Sequence, residues 1–138
     1  MMQRILALDV GDVRVGLAVS DLLGLTAQGL ETYTRTGDIE RDCEYIISLA
    51  KKYQPVKLLF GLPKNMDGSE GFQADKVRDF ANEILKRHDF EHDFFDERLT
   101  SVSAKRLIND GMVKSKKQKG TVDKIAAAII LQGYLDSF

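Results

Sequence analysis

The chain has 138 residues, 43% of them apolar and 30% charged, and a formal net charge of -1 at pH 7. This composition is typical of a soluble globular protein, and the length suits one domain spanning residues 1–138. The near-neutral charge excludes bulk electrostatic attraction to nucleic acid, so any polyanion site must be a local basic patch. The sequence has no apolar run of ~18 residues and no signal-peptide pattern, so we expect a cytoplasmic protein without a membrane segment.

The first predicted elements are two strands joined by a tight hairpin. Two apolar runs flank Gly11-Asp12, and glycine at the first central position supplies the positive φ of a type II′ turn. Alternation along the first strand places Asp9 on the same face as Ala7. An acid that ends a buried strand is costly unless it is compensated, so Asp9 needs a partner, a cation or a proton.

The remaining elements follow from hydrophobic periodicity and from turn residues. In chain order we predict a strand at Thr26–Thr36, a helix capped by Gly37-Asp38 and ended by Pro55, a strand at Val56–Gly61, a helix marked by Val77–Leu85, a strand at Glu91–Asp96, a helix at Leu99–Asp110 and a last helix from Thr121. This order predicts an α/β fold with a five-stranded mixed sheet flanked by helices. Its first three strands form an antiparallel meander, and the first strand is central because the fourth and fifth lie parallel to it.

Two further features concern single residue types. The only cysteine, Cys43, lies on the apolar face of a predicted helix, so we expect a buried thiol and no disulfide. Before the last helix, the segment Met112–Gly120 contains four lysines and no acid, which predicts a basic loop. The apolar stripe predicted for the last helix consists of Val122, Ile125, Ala126, Ile129, Ile130 and Tyr134.

Three acids are placed to converge. Asp9 ends the first strand, Glu97 follows the last strand, and Asp123 lies in the opening turn of the final helix. Carboxylates ~5 Å apart repel by ~3 kcal/mol per pair, so three of them gather only around a counter-ion. Oxygen ligands suit Mg²⁺ or Mn²⁺. The alternatives are ordinary: the helix dipole alone favours Asp123, and Glu97 can belong to a solvated cluster with Asp96 and Arg98.

Four motifs in this order resemble the YqgF-type family of the ribonuclease H-like superfamily. They are Asp9-Val10-Gly11 with Arg14, Val15-Gly16-Leu17-Ala18 and Ser20-Asp21; Gly61-Leu62-Pro63 with Asn65-Met66-Asp67-Gly68; Asp96-Glu97-Arg98-Leu99-Thr100-Ser101; and Asp123-Lys124 with Ala126-Ala127. Members of that family are described as Holliday junction resolvases and as nucleases for the 5′ end of pre-16S ribosomal RNA. The resemblance implies a ribonuclease H-like fold, with Asp9, Glu97 and Asp123 as catalytic acids that bind Mg²⁺ or Mn²⁺.

Contacts to nucleic acid are the next hypothesis. Val13 stands where many members carry lysine, which leaves Arg14 as the phosphate contact of the hairpin, although Arg14 can equally be an exposed strand residue. Candidate backbone contacts elsewhere are Lys64, Asn65, Arg98, Lys114, Lys116, Lys117 and Lys119. Ordinary turn chemistry competes for Lys64 and Asn65, orientation of Glu97 competes for Arg98, and a solvated loop competes for the lysines. Four phosphate contacts would give a salt slope of roughly -3 to -4.

The leading hypothesis is a metal-dependent nuclease acting on structured RNA, as a monomer or a homodimer and without a membrane partner. One alternative keeps the chemistry but takes branched DNA, where a symmetric junction calls for two active sites and hence a dimer. Another is a module that binds nucleic acid or a partner protein without cutting. A phosphotransferase of the sugar kinase and actin type also begins with Asp-x-Gly, but those proteins need two such domains.

Overall fold

The computed structural model describes residues 3–99 and 119–138, and in the second range it describes side chains from Val122 onward. The strands in these ranges are β1 (Arg4–Val10), β2 (Arg14–Ser20), β3 (Ala27–Thr34), β4 (Val56–Leu62) and β5 (Glu91–Asp96). The helices are α1 (Ile39–Lys51), α2 (Phe72–Leu85) and α3 (Lys119–Asp136), with a 3-10 turn at Glu97–Leu99. None of these helices is both long enough and apolar enough to cross a membrane.

The strands form one sheet in the order β3-β2-β1-β4-β5. β2 runs antiparallel to both β1 and β3, whereas β4 runs parallel to both β1 and β5. The predicted mixed sheet with a meander of three strands and a central first strand is therefore confirmed. Because β1, β4 and β5 are parallel, their carboxyl ends lie at one edge of the sheet, which is where ligands bind in open α/β sheets.

Helices cover both faces of the sheet. On one face, Leu6 and Leu8 of β1 pack with buried residues of α1 and α2, among them Cys43. On the other face, Ala7 packs with Ala127 and other residues of α3. Alternation along β1 then directs the side chain of Asp9 to the α3 face. The prediction of a buried thiol is confirmed, and burial raises the pKa of Cys43.

The hairpin between β1 and β2 differs from the prediction. Gly11 does not have positive φ, so the type II′ turn is wrong, and a connection of residues 11–13 joins the strands. The Gly11 amide donates to the Arg14 carbonyl over 2.9 Å. A Cβ added at Gly11 would lie 2.8 Å from that oxygen. The glycine is therefore required by close backbone approach rather than by an unusual dihedral angle.

The last helix differs in its start and in its buried face. α3 begins at Lys119, so the predicted start at Thr121 is late and the predicted loop ends earlier. Its fully buried residues are Ala127, Ile130, Leu131 and Tyr134, so only Ile130 and Tyr134 of the predicted stripe belong to the core. The predicted helix at Leu99–Asp110 lies outside the described residues except for Leu99, and so does the predicted loop as far as residue 118.

Candidate active site

The three predicted acids are held by different elements at the carboxyl edge of the sheet. Asp9 lies near the end of β1, opposite Gly16 of β2. Glu97 follows β5 directly, and Asp123 lies in the first turns of α3. The side chains of Asp9 and Glu97 are hydrogen-bonded, and the charge of Asp123 acts on Asp9. Asp9 thus lies near each of the other two acids, and their role as a shared metal site stays a prediction.

The pKa of Asp9 is raised by its surroundings. Burial, followed by the charge of Asp123, raises the pKa of Asp9 to about 6, although the hydrogen bond with Glu97 acts in the opposite direction. Its usual value is near 4. The predicted cost of an acid at the end of a buried strand is therefore expressed as a raised pKa, and a shift of this kind is typical of functional sites.

Two glycines make room for the other two acids. A Cβ added at Gly16 would lie 2.1 Å from the Asp123 carbonyl oxygen, so the backbone of α3 rests directly on β2. A Cβ added at Gly61 would lie 2.7 Å from Oε1 of Glu97. Both glycines occur in the motifs of the sequence, yet their part in the site was missed, because the sequence does not show that the last helix packs on Gly16 or that Glu97 packs on Gly61.

Arg14 lies between the hairpin and the start of α3. Its Nε donates to Oδ2 of Asp123 over 2.6 Å, and both side chains are partly exposed, at 34% for Arg14 and 25% for Asp123. The sequence predicts that Arg14 contacts nucleic acid. In the structure its guanidinium instead neutralises the acid that α3 contributes to the site.

The donor set fits a hard divalent cation, since carboxylate oxygens are the ligands that Mg²⁺ and Mn²⁺ prefer. Within residues 3–99 and 119–138, however, no three Asp, Glu, His or Cys side chains are grouped so that they could hold one ion. The Asp123 carboxylate is engaged by Arg14. The acids therefore lie at one edge of the sheet and offer the oxygen ligands that Mg²⁺ and Mn²⁺ prefer, but their side chains are not arranged around a single ion position.

Arg98 braces two segments beside the acids. Its guanidinium binds both carboxylate oxygens of Asp96, with Nη2 2.7 Å from Oδ2, and Nη1 donates to the Met66 carbonyl over 3.2 Å. The Arg98 guanidinium lowers the pKa of Asp96. Of the adjacent pair Asp96-Glu97, Asp96 thus pairs with Arg98 and Glu97 pairs with Asp9. Both roles predicted for Arg98, orientation of Glu97 and contact with nucleic acid, stay predictions.

The loop after β4 is built by its own turn contacts. Lys64 forms an isolated β-bridge with Glu70. Asn65 receives a hydrogen bond from the Gly68 amide, and its side-chain amide donates to Oγ of Ser69 over 2.9 Å. This is the turn chemistry that competed with nucleic-acid contact. Lys114, Lys116 and Lys117 lie outside the described residues, and Lys119 is in α3 with its side chain outside the described part.

Comparison with known proteins identifies a matching family and similar proteins. The model of the RuvX family, described as a Holliday junction resolvase, matches residues 3–137. A protein of Halothermothrix orenii is 49% identical over 133 residues, which cover 96% of this chain and 94% of that protein. One of Clostridioides difficile is 46% identical, with 96% and 94% covered. Both proteins carry the name "Putative pre-16S rRNA nuclease".

A solved structure shows the same architecture. The chain is similar to RuvC of T. thermophilus, determined in complex with a Holliday junction substrate, with a TM-score of 0.57 and 12% sequence identity. The similarity covers 98% of this chain and 96% of that one. It confirms the ribonuclease H-like fold that the sequence motifs imply.

Proposed function

Because the chain belongs to the RuvX family, we propose that it is a nuclease that hydrolyses phosphodiester bonds within one domain spanning residues 1–138. The observation that carries the proposal is the meeting of Asp9 with Glu97 and Asp123 at one edge of the sheet, where Asp9 has a pKa of about 6. Acids gathered in this way are unfavourable on their own. They become useful when a divalent cation joins them.

Asp9, Glu97 and Asp123 are the residues that would hold Mg²⁺ or Mn²⁺. Bound ions of this kind activate water and stabilise the leaving oxygen in phosphodiester hydrolysis. Asp9 is central because it is fixed in β1, between the strand that carries Gly16 and the strand that carries Gly61. Glu97 and Asp123 reach it from the ends of β5 and α3, and Arg98 holds the turn from which Glu97 extends.

The substrate that we propose is a precursor of 16S ribosomal RNA, cut at its 5′ end. The name of the relatives supports RNA, and the lysines Lys114, Lys116, Lys117 and Lys119 supply a basic segment that suits a phosphate backbone. Such a substrate agrees with the predicted cytoplasmic location. Arg14, Lys64, Asn65 and Arg98 lie near the acids in sequence or in space and remain proposed contacts.

Branched DNA is the second candidate substrate. It is favoured by the description of the family model and by the structural likeness to RuvC in complex with a Holliday junction. A symmetric junction needs two active sites, so this candidate requires a homodimer. The two candidates share the proposed chemistry and differ in substrate and assembly.

Cleavage assays with matched substrates test the proposal. We expect the wild-type protein with Mg²⁺ or Mn²⁺ to cut a precursor rRNA fragment, and Asp9→Asn to reduce the rate by at least ~10³-fold while RNA binding is kept. Asp12→Asn is the control, because Asp12 is exposed, forms an ion pair with Lys76 and is not one of the three proposed acids. Cleavage by Asp9→Asn at the wild-type rate would refute the proposed site.

A four-way DNA junction in the same assay separates the substrates. Cleavage of the junction without cleavage of the RNA would identify branched DNA, and the oligomeric state on the junction would then be measured. Binding of either nucleic acid without cleavage, at saturating Mg²⁺ and Mn²⁺, would identify a binding module and contradict the nuclease.

A further inference from the structure

The ion pair between Arg14 and Asp123 occupies a carboxylate that the proposed metal site would also use. Nε of Arg14 lies 2.6 Å from Oδ2 of Asp123. The backbone of Asp123 rests on Gly16, the residue paired with Asp9 in the sheet. Arg14 therefore brings a positive charge to the third acid at the same edge where Asp9 and Glu97 meet. A divalent cation that used all three acids would share the Asp123 carboxylate with Arg14, and the two positive charges would repel each other there.

The arrangement of the acids agrees with such competition. In the described part of the chain, no three acids are grouped to hold an ion, although Asp9 is close enough to Asp123 for the charge of Asp123 to act on it. Asp123 already has a counter-charge in Arg14.

We propose that Arg14 and the divalent cation compete for the carboxylate of Asp123, so that metal binding releases the Arg14 guanidinium to a phosphate oxygen of the substrate. This inference rests on the proposed nuclease function. One cation replaces another beside Asp123, so the third acid stays neutralised both before and after metal binds. The exchange also couples the two events, because a bound phosphate favours the released arginine and the released arginine favours the bound metal.

The exchange gives Arg14 two roles that the sequence treats as alternatives. Without metal it is a positioning residue that holds the start of α3 through Asp123. With metal it becomes the phosphate contact that the motif predicts. The guanidinium suits both partners, because its planar donor groups match carboxylate and phosphate oxygens equally well.

Mn²⁺ binding without nucleic acid, measured by calorimetry, tests the competition. Arg14→Gln is expected to raise the affinity by about fivefold, the effect of removing a partly exposed ion pair. Asp123→Asn should weaken binding, and adding Arg14→Gln to Asp123→Asn should change nothing further. A fivefold gain that persists in the double variant would mean that Arg14 acts by long-range charge, and the exchange would be wrong.

A charge-matched control and a direct signal complete the test. Lys124→Gln removes the same charge from the residue after Asp123, where Lys124 packs against Gly29, and it should change the Mn²⁺ affinity less than about twofold. The Nε–H resonance of Arg14 should move, on saturation of the wild-type protein with Mg²⁺, toward its position in Asp123→Asn. A resonance that stays in place would overturn the exchange. Thermal unfolding of each variant checks that it is folded.

The outcomes separate this inference from the nuclease itself. If Mn²⁺ binding requires Asp9 but its affinity is unchanged by Arg14→Gln, the exchange is refuted and the nuclease proposal is unaffected. Observed exchange without cleavage of RNA or DNA would support the exchange and refute the nuclease. If neither the wild-type protein nor Arg14→Gln binds Mn²⁺ without nucleic acid, the exchange fails, and the cleavage assay alone decides on the nuclease, because substrate phosphate oxygens can complete the metal shell.

Discussion

Two aspartates in opposite layers of the protein show two ways of placing a carboxylate inside a fold. Asp42, in α1, is 1% exposed. Its Oδ1 accepts hydrogen bonds from the Tyr33 hydroxyl at 2.7 Å and from the Thr36 amide at 3.0 Å and hydroxyl at 2.9 Å. Its Oδ2 faces Nε of Arg35 at 3.6 Å. Asp9, on the other face of the sheet, has an acid as its hydrogen-bond partner and a second acid nearby.

The difference appears in the pKa values. Burial alone would raise the pKa of Asp42, but the hydrogen bonds from Thr36 and Tyr33 and the charge of Arg35 lower it below its usual value. Burial and the charge of Asp123 raise the pKa of Asp9 to about 6. Asp42 is compensated within the chain and stabilises the fold. The charge of Asp123 instead adds to the effect of burial on Asp9, and a shift of this kind is typical of functional sites.

Removal of Asp42 should have the largest effect. Asp42→Ala leaves the Tyr33 hydroxyl and the Thr36 amide without their acceptor, and Arg35 without its ion-pair partner. Loss of one member of a buried ion pair costs about 3–5 kcal/mol. Urea unfolding at pH 7 measures the change. Because the pKa of Asp42 is lowered, its stabilisation is present at neutral pH and lost on acidification, so the difference between variant and wild type should shrink toward pH 3. An unchanged midpoint at pH 7 would contradict this account of Asp42.

Displacement of Asp123 away from Asp9 should lower the cleavage rate. Gly16→Ala inserts a Cβ 2.1 Å from the Asp123 carbonyl oxygen, so the start of α3 must shift. We expect cleavage to fall by about 100-fold, since small displacements of aligned groups have effects of this size. Gly29→Ala is the control, because its Cβ would lie 3.3 Å from the Lys124 carbonyl oxygen. Equal rates for the two variants would show that the close contact at Gly16 does not position the site.

Much of the fold could be predicted from the sequence, because short apolar runs bounded by turn residues distinguish the strands from the longer, periodic helices. β5 (Glu91–Asp96) has the predicted bounds, and the sheet order follows from short connections and parallel crossovers. α3 was harder to predict. It is apolar on several sides, so its periodicity does not single out the buried face formed by Ala127 and its neighbours. The hairpin itself is present, but its turn type was predicted wrongly, because a glycine needed for close approach and a glycine needed for positive φ look the same in a sequence.

That Asp9 and Glu97 lie close together could also be predicted, but the other contacts of the acids could not. Asp9 and Glu97 follow from strand ends at one edge of a parallel arrangement. The engagement of Asp123 by Arg14 and the room that Gly16 and Gly61 provide depend on how α3 and the turn after β5 approach the sheet. These are contacts across more than 30 residues of sequence, and no local pattern encodes them.

Neutralisation of Asp9 should stabilise the protein while it abolishes the proposed activity. The pKa of Asp9 is raised in the fold, so ionisation above pH 6 costs folding free energy. Asp9→Asn should therefore increase stability at pH 8 by about 1–2 kcal/mol, after allowance for partial exposure. The gain should vanish as the pH falls from 6 to 4, where wild-type Asp9 is protonated as well. Denaturant titrations at pH 4, 6 and 8 measure it, and a loss of stability at pH 8 would mean that Asp9 is compensated as Asp42 is.

Removal of one donor from Asp42 gives the smallest effect and the sharpest check of the comparison. Tyr33→Phe deletes the hydroxyl that donates to Oδ1 but keeps the ring, which stacks on Tyr45 with centroids 4.3 Å apart. Since Thr36 still donates to the same oxygen, we expect a loss of about 1 kcal/mol at pH 7. The pKa of Asp42, followed by carboxyl NMR, should rise toward its usual value.

Tyr45→Phe is the matched control for this change. The Tyr45 hydroxyl donates to Glu31, an exposed contact at the surface of the same stacked pair, so its loss should change stability by less than about 0.5 kcal/mol. If the two phenylalanine variants were equally stable and the pKa of Asp42 did not move, donors would not be what distinguishes Asp42 from Asp9.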